Sequence, residues 1–155
     1  VTALFTFFVL VFGTWKKESA VFNWPPEIQK VYFEKHPEVS PEKMNGKQRI
    51  IVKSIGLVVY LALLIVMAWL GGCKTFLDGF VFSIIVIYWI VAWDTFFLDW
   101  VLFTNLKAFR LPGTEHMDKE YHNYWFHLKV VLWPAAIYFV LAAAVVGLII
   151  WALPL

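Results

Sequence analysis

Long apolar runs separated by shorter polar stretches organise this chain. Residues 1–13, VTALFTFFVLVFG, carry no charged side chain, and the first appears at Lys16. Residues 14–49 are polar and hold much of the charge. The run IIVKSIGLVVYLALLIVMAWL follows and stops at Gly71-Gly72, and a third run extends from Phe76 to about Thr104. A polar stretch then leads into a last run over 130–153. A helix needs roughly 20 apolar residues to cross a hydrocarbon core of about 30 Å. The pattern therefore predicts an all-α, polytopic membrane protein: a four-helix transmembrane bundle forming one domain over 1–155. Its spans fall at about 1–15, 50–70, 76–104 and 130–153, with loops 16–49 and 105–129 carrying short interfacial helices.

The first run is the shortest. Thirteen helical residues rise about 20 Å, less than the core thickness, so the helix either runs on through Trp15 or begins upstream of Val1. A secretory signal peptide is the competing reading. It lacks a basic n-region and a small-residue cleavage site before Lys16.

Local signals subdivide the polar stretches. Trp24-Pro25-Pro26-Glu27 reads as a helix start, because proline is tolerated in a first turn. The helix EIQKVYFEKH would place Ile28, Val31, Tyr32 and Lys35 on one side and end at Pro37. Ser40-Pro41-Glu42 is a second start, with a serine cap, a proline and an acid at the positive helix end. Leu111-Pro112-Gly113 suits a type II turn. Thr114 can cap a helix over about 115–129, and Pro134, one turn inside the fourth span, is a point for a kink.

Composition sharpens this picture. Of the 155 residues, 61% are hydrophobic, above the share in an ordinary soluble domain. The 15 Phe, 9 Trp and 6 Tyr suit a chain with many headgroup-level positions. A net charge of +2 gives no argument for nucleic acid. The single cysteine, Cys73, excludes an internal disulfide and a CxxC redox pair. Orientation follows from Lys and Arg. Eight lie between spans one and two (Lys16, Lys17, Lys30, Lys35, Lys43, Lys47, Arg49, Lys53) and one, Lys74, between two and three. Four lie between three and four: Lys107, Arg110, Lys119 and Lys129. This alternation predicts both large loops in the cytoplasm and Cys73 outside.

Two polar groups stand out. Asp94 and Asp99 lie near the cytoplasmic end of the third span, where ionised acids are costly and by default functional. At about 100° per residue Tyr88, Ala92, Thr95 and Asp99 share a face, whereas Asp94 sits about 140° from Asp99. This reading excludes a side-by-side carboxylate pair and makes Tyr88, Thr95, Asp94 and Asp99 the binding candidates. The competing reading pairs Asp99 with Lys107 or Arg110, and Asp94 with Lys53 or a tyrosine. The second group is His116, Glu120, Asn123 and His127, a polar stripe on the helix after Thr114. His116, Glu120 and His127 are the metal candidates, for a divalent ion. Glu115, Asp118 and His122 make a second acidic-histidine group on the adjacent face. The alternative is a surface helix with Met117, Tyr121, Tyr124 and Leu128 facing lipid. None of His36, His116, His122 and His127 lies within an apolar span, which disfavours a transmembrane haem. Ala143-xxx-Gly147 permits close helix approach and possible dimerisation.

Three segments, WPPEIQ (24–29), WDTFFLDW (93–100) and RLPGTEHMDKEYHNYWFHLK (110–129), together resemble a family of small, uncharacterised polytopic membrane proteins of bacteria. The resemblance implies a bacterial cytoplasmic membrane and four helices. It transfers no residue role.

The sequence thus favours a non-enzymatic membrane component that binds or transports a small molecule or ion, or serves in assembly. Its partners would be the lipid bilayer and a second copy or partner subunit, with no nucleic acid. The alternative is a metal-dependent membrane enzyme in which Asp94 or Asp99 meets His116, Glu120 or His127 at the cytoplasmic interface.

Overall fold

The computed structural model describes residues 2–15, 21–39 and 46–153. The helix start at Ser40-Pro41-Glu42 and the loop residues Lys16, Lys17 and Lys43 lie outside that set, as do the side chains of Lys47, Arg49 and Lys53. The described residues are all-helical, with no strand among them. In chain order the α-helices are α1 (Thr2–Trp15), α2 (Pro26–Lys35), α3 (Gly46–Leu70), α4 (Phe76–Trp93), α5 (Asp118–Tyr121), α6 (Tyr124–Val130) and α7 (Ala136–Ala152). α4 continues without interruption into a π-helical segment, Asp94–Phe103.

Phe76–Phe103 is the helix that is long and apolar enough to cross a membrane, among the described residues. A second qualifies if Asp118–Trp133 and Ala136–Ala152 count as one bent span. Within α3 the described residues give a shorter apolar stretch, Ser54–Leu70.

Two compact units divide the chain: one comprises Val1–Lys43 and Ile90–Val130, the other Met44–Trp89 and Val131–Leu155. The first holds the larger buried core. Val21, Trp24, Ile28, Tyr32, Phe109, Leu111, Met117 and Tyr121 form one buried cluster. α2 contributes Ile28 and Tyr32, four apart and so on one face. Pro26 occupies its first turn, where no amide hydrogen is missed. Lys35 extends from its far end to donate to the Gly113 carbonyl at 2.6 Å. Pro112-Gly113 makes the expected turn: Thr114 N–H bonds the Leu111 carbonyl at 3.1 Å, and Gly113 has φ +82.

After that turn the expected continuous helix over 115–129 is absent. The chain instead forms α5, a break at His122-Asn123, and α6. Thr114 does not cap a helix; its hydroxyl donates to the Leu111 carbonyl at 2.8 Å. The cause is a better set of partners. Tyr121 turns inward, and its phenol oxygen accepts from the Leu111 N–H at 2.9 Å and meets Thr114 Oγ1 at 2.7 Å. Because the threonine proton is committed to the carbonyl, the phenol proton goes to Thr114. Arg110, 3% exposed, lies 5.1 Å above the Tyr121 ring, donates to the Glu115 carbonyl at 2.7 Å, and pairs with Asp118. Met117 and Tyr121, expected to face lipid, are buried in the protein core; Tyr124 is exposed and Leu128 half-buried.

The second unit is built on small residues. Gly147 on α7 and Gly79 on α4 meet directly: a Cβ on Gly79 would lie 3.1 Å from the Gly147 Cα. The Ala143-xxx-Gly147 pattern is therefore a packing seam, and Ala143, Val146, Gly147 and Ile150 are its buried residues on α7. α3 ends where Gly71-Gly72 predicts. Gly72 takes φ +78, and the Cys73 N–H bonds back to the Ala68 carbonyl at 3.1 Å, as in a glycine-terminated helix. Trp133, the residue before Pro134, leaves helical geometry (φ −160, ψ 122), as crowding by a proline ring favours.

Candidate functional site

The candidate site lies within the first unit, where the π-helical segment meets α6. From Asp94 onward the helix widens, and the Thr104 N–H bonds the Asp99 carbonyl, an i→i−5 link. In such a turn residue i+5 returns to the position above residue i. Asp94 and Asp99 are five apart. The expectation that about 140° separates them holds only for a regular α-helix and is corrected by this segment, which brings them to one side. π-turns in α-helices recur at functional sites.

Asp99 is 16% exposed, and its Oδ2 sits 3.2 Å from Nδ1 of His127, itself 8% exposed. This pairing replaces both partners expected for Asp99. Lys107 is exposed, and Arg110 is engaged with Asp118. A carboxylate facing Nδ1 holds the proton there, so the neutral ring presents a lone pair at Nε2. That nitrogen is fully enclosed and has no hydrogen-bond partner among the described residues. Trp24 stands edge-on to the imidazole with centroids 6.3 Å apart, and Phe126 does so at 5.3 Å.

Asp94 is half-buried and close enough to Asp99 and His127 for their charges to act on it. It has neither a hydrogen bond nor an ion pair among the described residues, and Lys53, one partner expected for it, has its side chain outside them. Thr95, one turn before Asp99, is 2% exposed, and its hydroxyl is likewise unpartnered. Two indole bonds brace the helix. Trp93 donates to Thr6 Oγ1 of α1 at 2.9 Å, and Trp100 to the Tyr124 carbonyl of α6 at 3.3 Å.

The other candidates are placed differently. Tyr88 belongs to the second unit, is 44% exposed and lies edge-on to Phe139. His116 is exposed in the turn before α5, Glu120 is half-buried on α5, and His127 is buried on α6. The break at His122-Asn123 interrupts the stripe that would have aligned them. Among the described residues no group of three or more His, Cys, Asp and Glu side chains is arranged to hold a metal ion, so this trio does not form one.

Sequence reasoning placed His127 among metal ligands and brought it to Asp99 only in the alternative reading, as one of several pairings left open. The two are 28 positions apart, and no periodicity relates them. The one available signal was that both border the same long apolar helix and polar turn. Comparisons with protein-family models, with curated proteins and with solved structures find no match for this chain.

Proposed function

We propose that this chain is a non-enzymatic, four-crossing protein of the bacterial cytoplasmic membrane that binds or moves a small cation at Asp94, Asp99 and His127. The observation carrying this reading is the enclosed Asp99–His127 pair, with a second acid beside it, on a helix apolar enough to span a bilayer. Several facts support the membrane location. In the most apolar window of Phe76–Phe103 only 17% is buried, unlike the core helix of a soluble protein. Large apolar side chains such as Leu57, Val58, Leu63, Ile85, Trp89, Leu141 and Leu148 are more than half exposed on α3, α4 and α7. Such surface calls for an apolar cover. α1, α3, the helix Phe76–Phe103 and the stretch through α7 supply the four crossings. The Lys and Arg alternation of eight, one and four puts the site at the cytoplasmic side.

Asp99→Asn and Asp94→Asn test the reading. The protein is reconstituted in phosphatidylethanolamine and phosphatidylglycerol vesicles, and uptake of protons, sodium, potassium and ammonium is followed in turn. Uptake of one of these that falls at least about tenfold in both variants, each still folded, supports the proposal; a loss that size corresponds to about 1.4 kcal/mol. Silence with all four cations sinks transport and leaves only the binding reading. An unfolded Asp94→Asn protein would mark that acid as structural instead.

A further inference from the structure

We infer that the ligand of this cluster is the proton, taken up at His127 Nε2. The inference rests on the reading above, that the Asp94, Asp99 and His127 cluster is the cation site, and names its ligand. Charge comes first. Asp99 contacts the imidazole, Asp94 lies close enough for the charges of both to act on it, and among the described residues no Lys or Arg pairs with either acid. The cluster is short of positive charge. Valence comes second. With Nδ1–H held by Asp99, the open position of the ring is the Nε2 lone pair.

Size then separates the ligand classes. Nε2 has no accessible surface, so no ion of water size or larger touches it in this state. A transition metal would need to sit about 2.0–2.1 Å from the nitrogen with further donors around it. No such group of side chains exists among the described residues. A proton adds no volume.

The groups around the ring also favour positive charge there. From the π-helical segment come Asp94 and Asp99, and from the loop before α2 comes Trp24, whose other neighbours include Tyr121. On α6 itself Tyr124 and Lys129 are exposed, and the adjacent Phe126 is apolar. Uptake passes through a transient opening that lets water reach the ring. A hydronium ion then gives its proton to Nε2, an N–H bond forms, water departs, Asp99 stays ionised, and the enclosure closes again over a ring whose volume has not changed. The Asp99–His127 contact then changes from a neutral hydrogen bond to a charge-assisted one, which is stronger. The contact between α6 and the helix carrying Asp94 tightens with it.

The test is nitrogen NMR of the full chain in nanodiscs, labelled at its four histidines, with His127 assigned by its loss in His127→Gln. In neutral to alkaline buffer His127 is expected as the Nδ1–H form with an unprotonated Nε2. As the buffer is acidified Nε2 gains a proton. Asp99→Asn and Asp94→Asn each weaken that proton affinity about tenfold, and Asp99→Glu restores most of it. The Nε2–H tautomer, an Nε2 that never titrates between about pH 4 and pH 9, or an affinity unmoved by both asparagine variants would overturn the assignment. Vesicle uptake separates the two readings. A His127 that titrates as described in silent vesicles overturns transport and keeps the proton site. Sodium or ammonium uptake with a His127 that does not titrate overturns the proton and keeps the cation site.

Discussion

The two units of this chain solve the same problem with opposite materials. The first, which contains α2, α5 and α6, closes around rings and polar groups: Trp24 packs on Tyr121 at 4.8 Å, and Tyr121 is bonded to Leu111 and Thr114. The second, which contains α3 and α7, closes around the absence of side chains, with glycine against glycine. A polar core specifies geometry through bonds that must all be made. A seam of small residues specifies it through the volume it leaves free. Both kinds of specificity occur in one short chain, and each fails in its own way.

The second unit should fail hardest on added volume. A Cβ at Gly147 would sit 2.7 Å from the Phe76 carbonyl oxygen and 3.0 Å from its ring, and the first of these is backbone. Gly147→Val is expected to cost about 3 kcal/mol, the upper part of the range for overpacking. The control is Gly56→Ala on α3, whose Cβ would meet nothing within 4 Å; it should be neutral or stabilising by about 0.5–1 kcal/mol, since glycine weakens a helix interior. Thermal unfolding in mild detergent reads both. Equal effects would show that the seam does not hold this unit together.

The first unit should fail on a missing atom. Tyr121→Phe keeps the ring and removes the oxygen that serves the Leu111 N–H and Thr114 hydroxyl. Leaving the buried Leu111 N–H unpaired costs about 1–3 kcal/mol, so a loss of about 2 kcal/mol is expected, less than for Gly147→Val. The phenol also gives a pH signature. Burial pushes its pKa above the usual 10, overriding the bonds from Thr114 and Leu111 and the nearby Arg110, which lower it. The folded state therefore holds this proton more tightly than the unfolded chain. That stability is fully present below about pH 10 and is lost as pH rises through the folded value. Tyr121→Phe should flatten the alkaline decline while lowering stability at neutral pH. A decline unchanged by the substitution would place its origin elsewhere.

These contrasts also explain what the sequence discloses. The apolar runs, the Gly71-Gly72 stop, the Pro112-Gly113 turn and the Ala143-xxx-Gly147 seam depend on neighbours a few positions apart, and all are legible. The helix after Thr114 was misread because its amphipathic pattern is local, whereas Tyr121 is captured by Leu111, ten positions back. The site suffered the same way twice. An i→i+5 turn re-phases Asp94 against Asp99, and side-chain spacing assumes 3.6 residues per turn. His127 reaches Asp99 through tertiary folding alone. Asp94, Thr95, Asp99 and His127 were each suspicious by type and position, and a meeting of Asp94 or Asp99 with His127 was one alternative among several that spacing could not rank.

The smallest effect separates the units by how their helices begin. α5, in the first unit, starts at Met117 with no side-chain cap, and Arg110, Thr114 and Tyr121 hold its surroundings instead. α4, in the second, starts with a reciprocal pair. The Asp78 N–H donates to Thr75 Oγ1 at 3.2 Å, and the Thr75 N–H donates to Asp78 Oδ2 at 3.0 Å. This is a capping box with aspartate in the usual glutamate place. Local bonds suit a helix whose interior offers few polar partners. Thr75→Ala should cost about 1 kcal/mol, with Thr75→Ser nearly neutral because the hydroxyl is kept. Met117→Ser, which offers α5 a cap, should gain nothing, since it empties a buried position in the aromatic core. Thermal unfolding of the three variants side by side decides the point. A stabilising Met117→Ser would mean that α5 is limited by its end and not by its packing, and the contrast between the units would narrow to the seam alone.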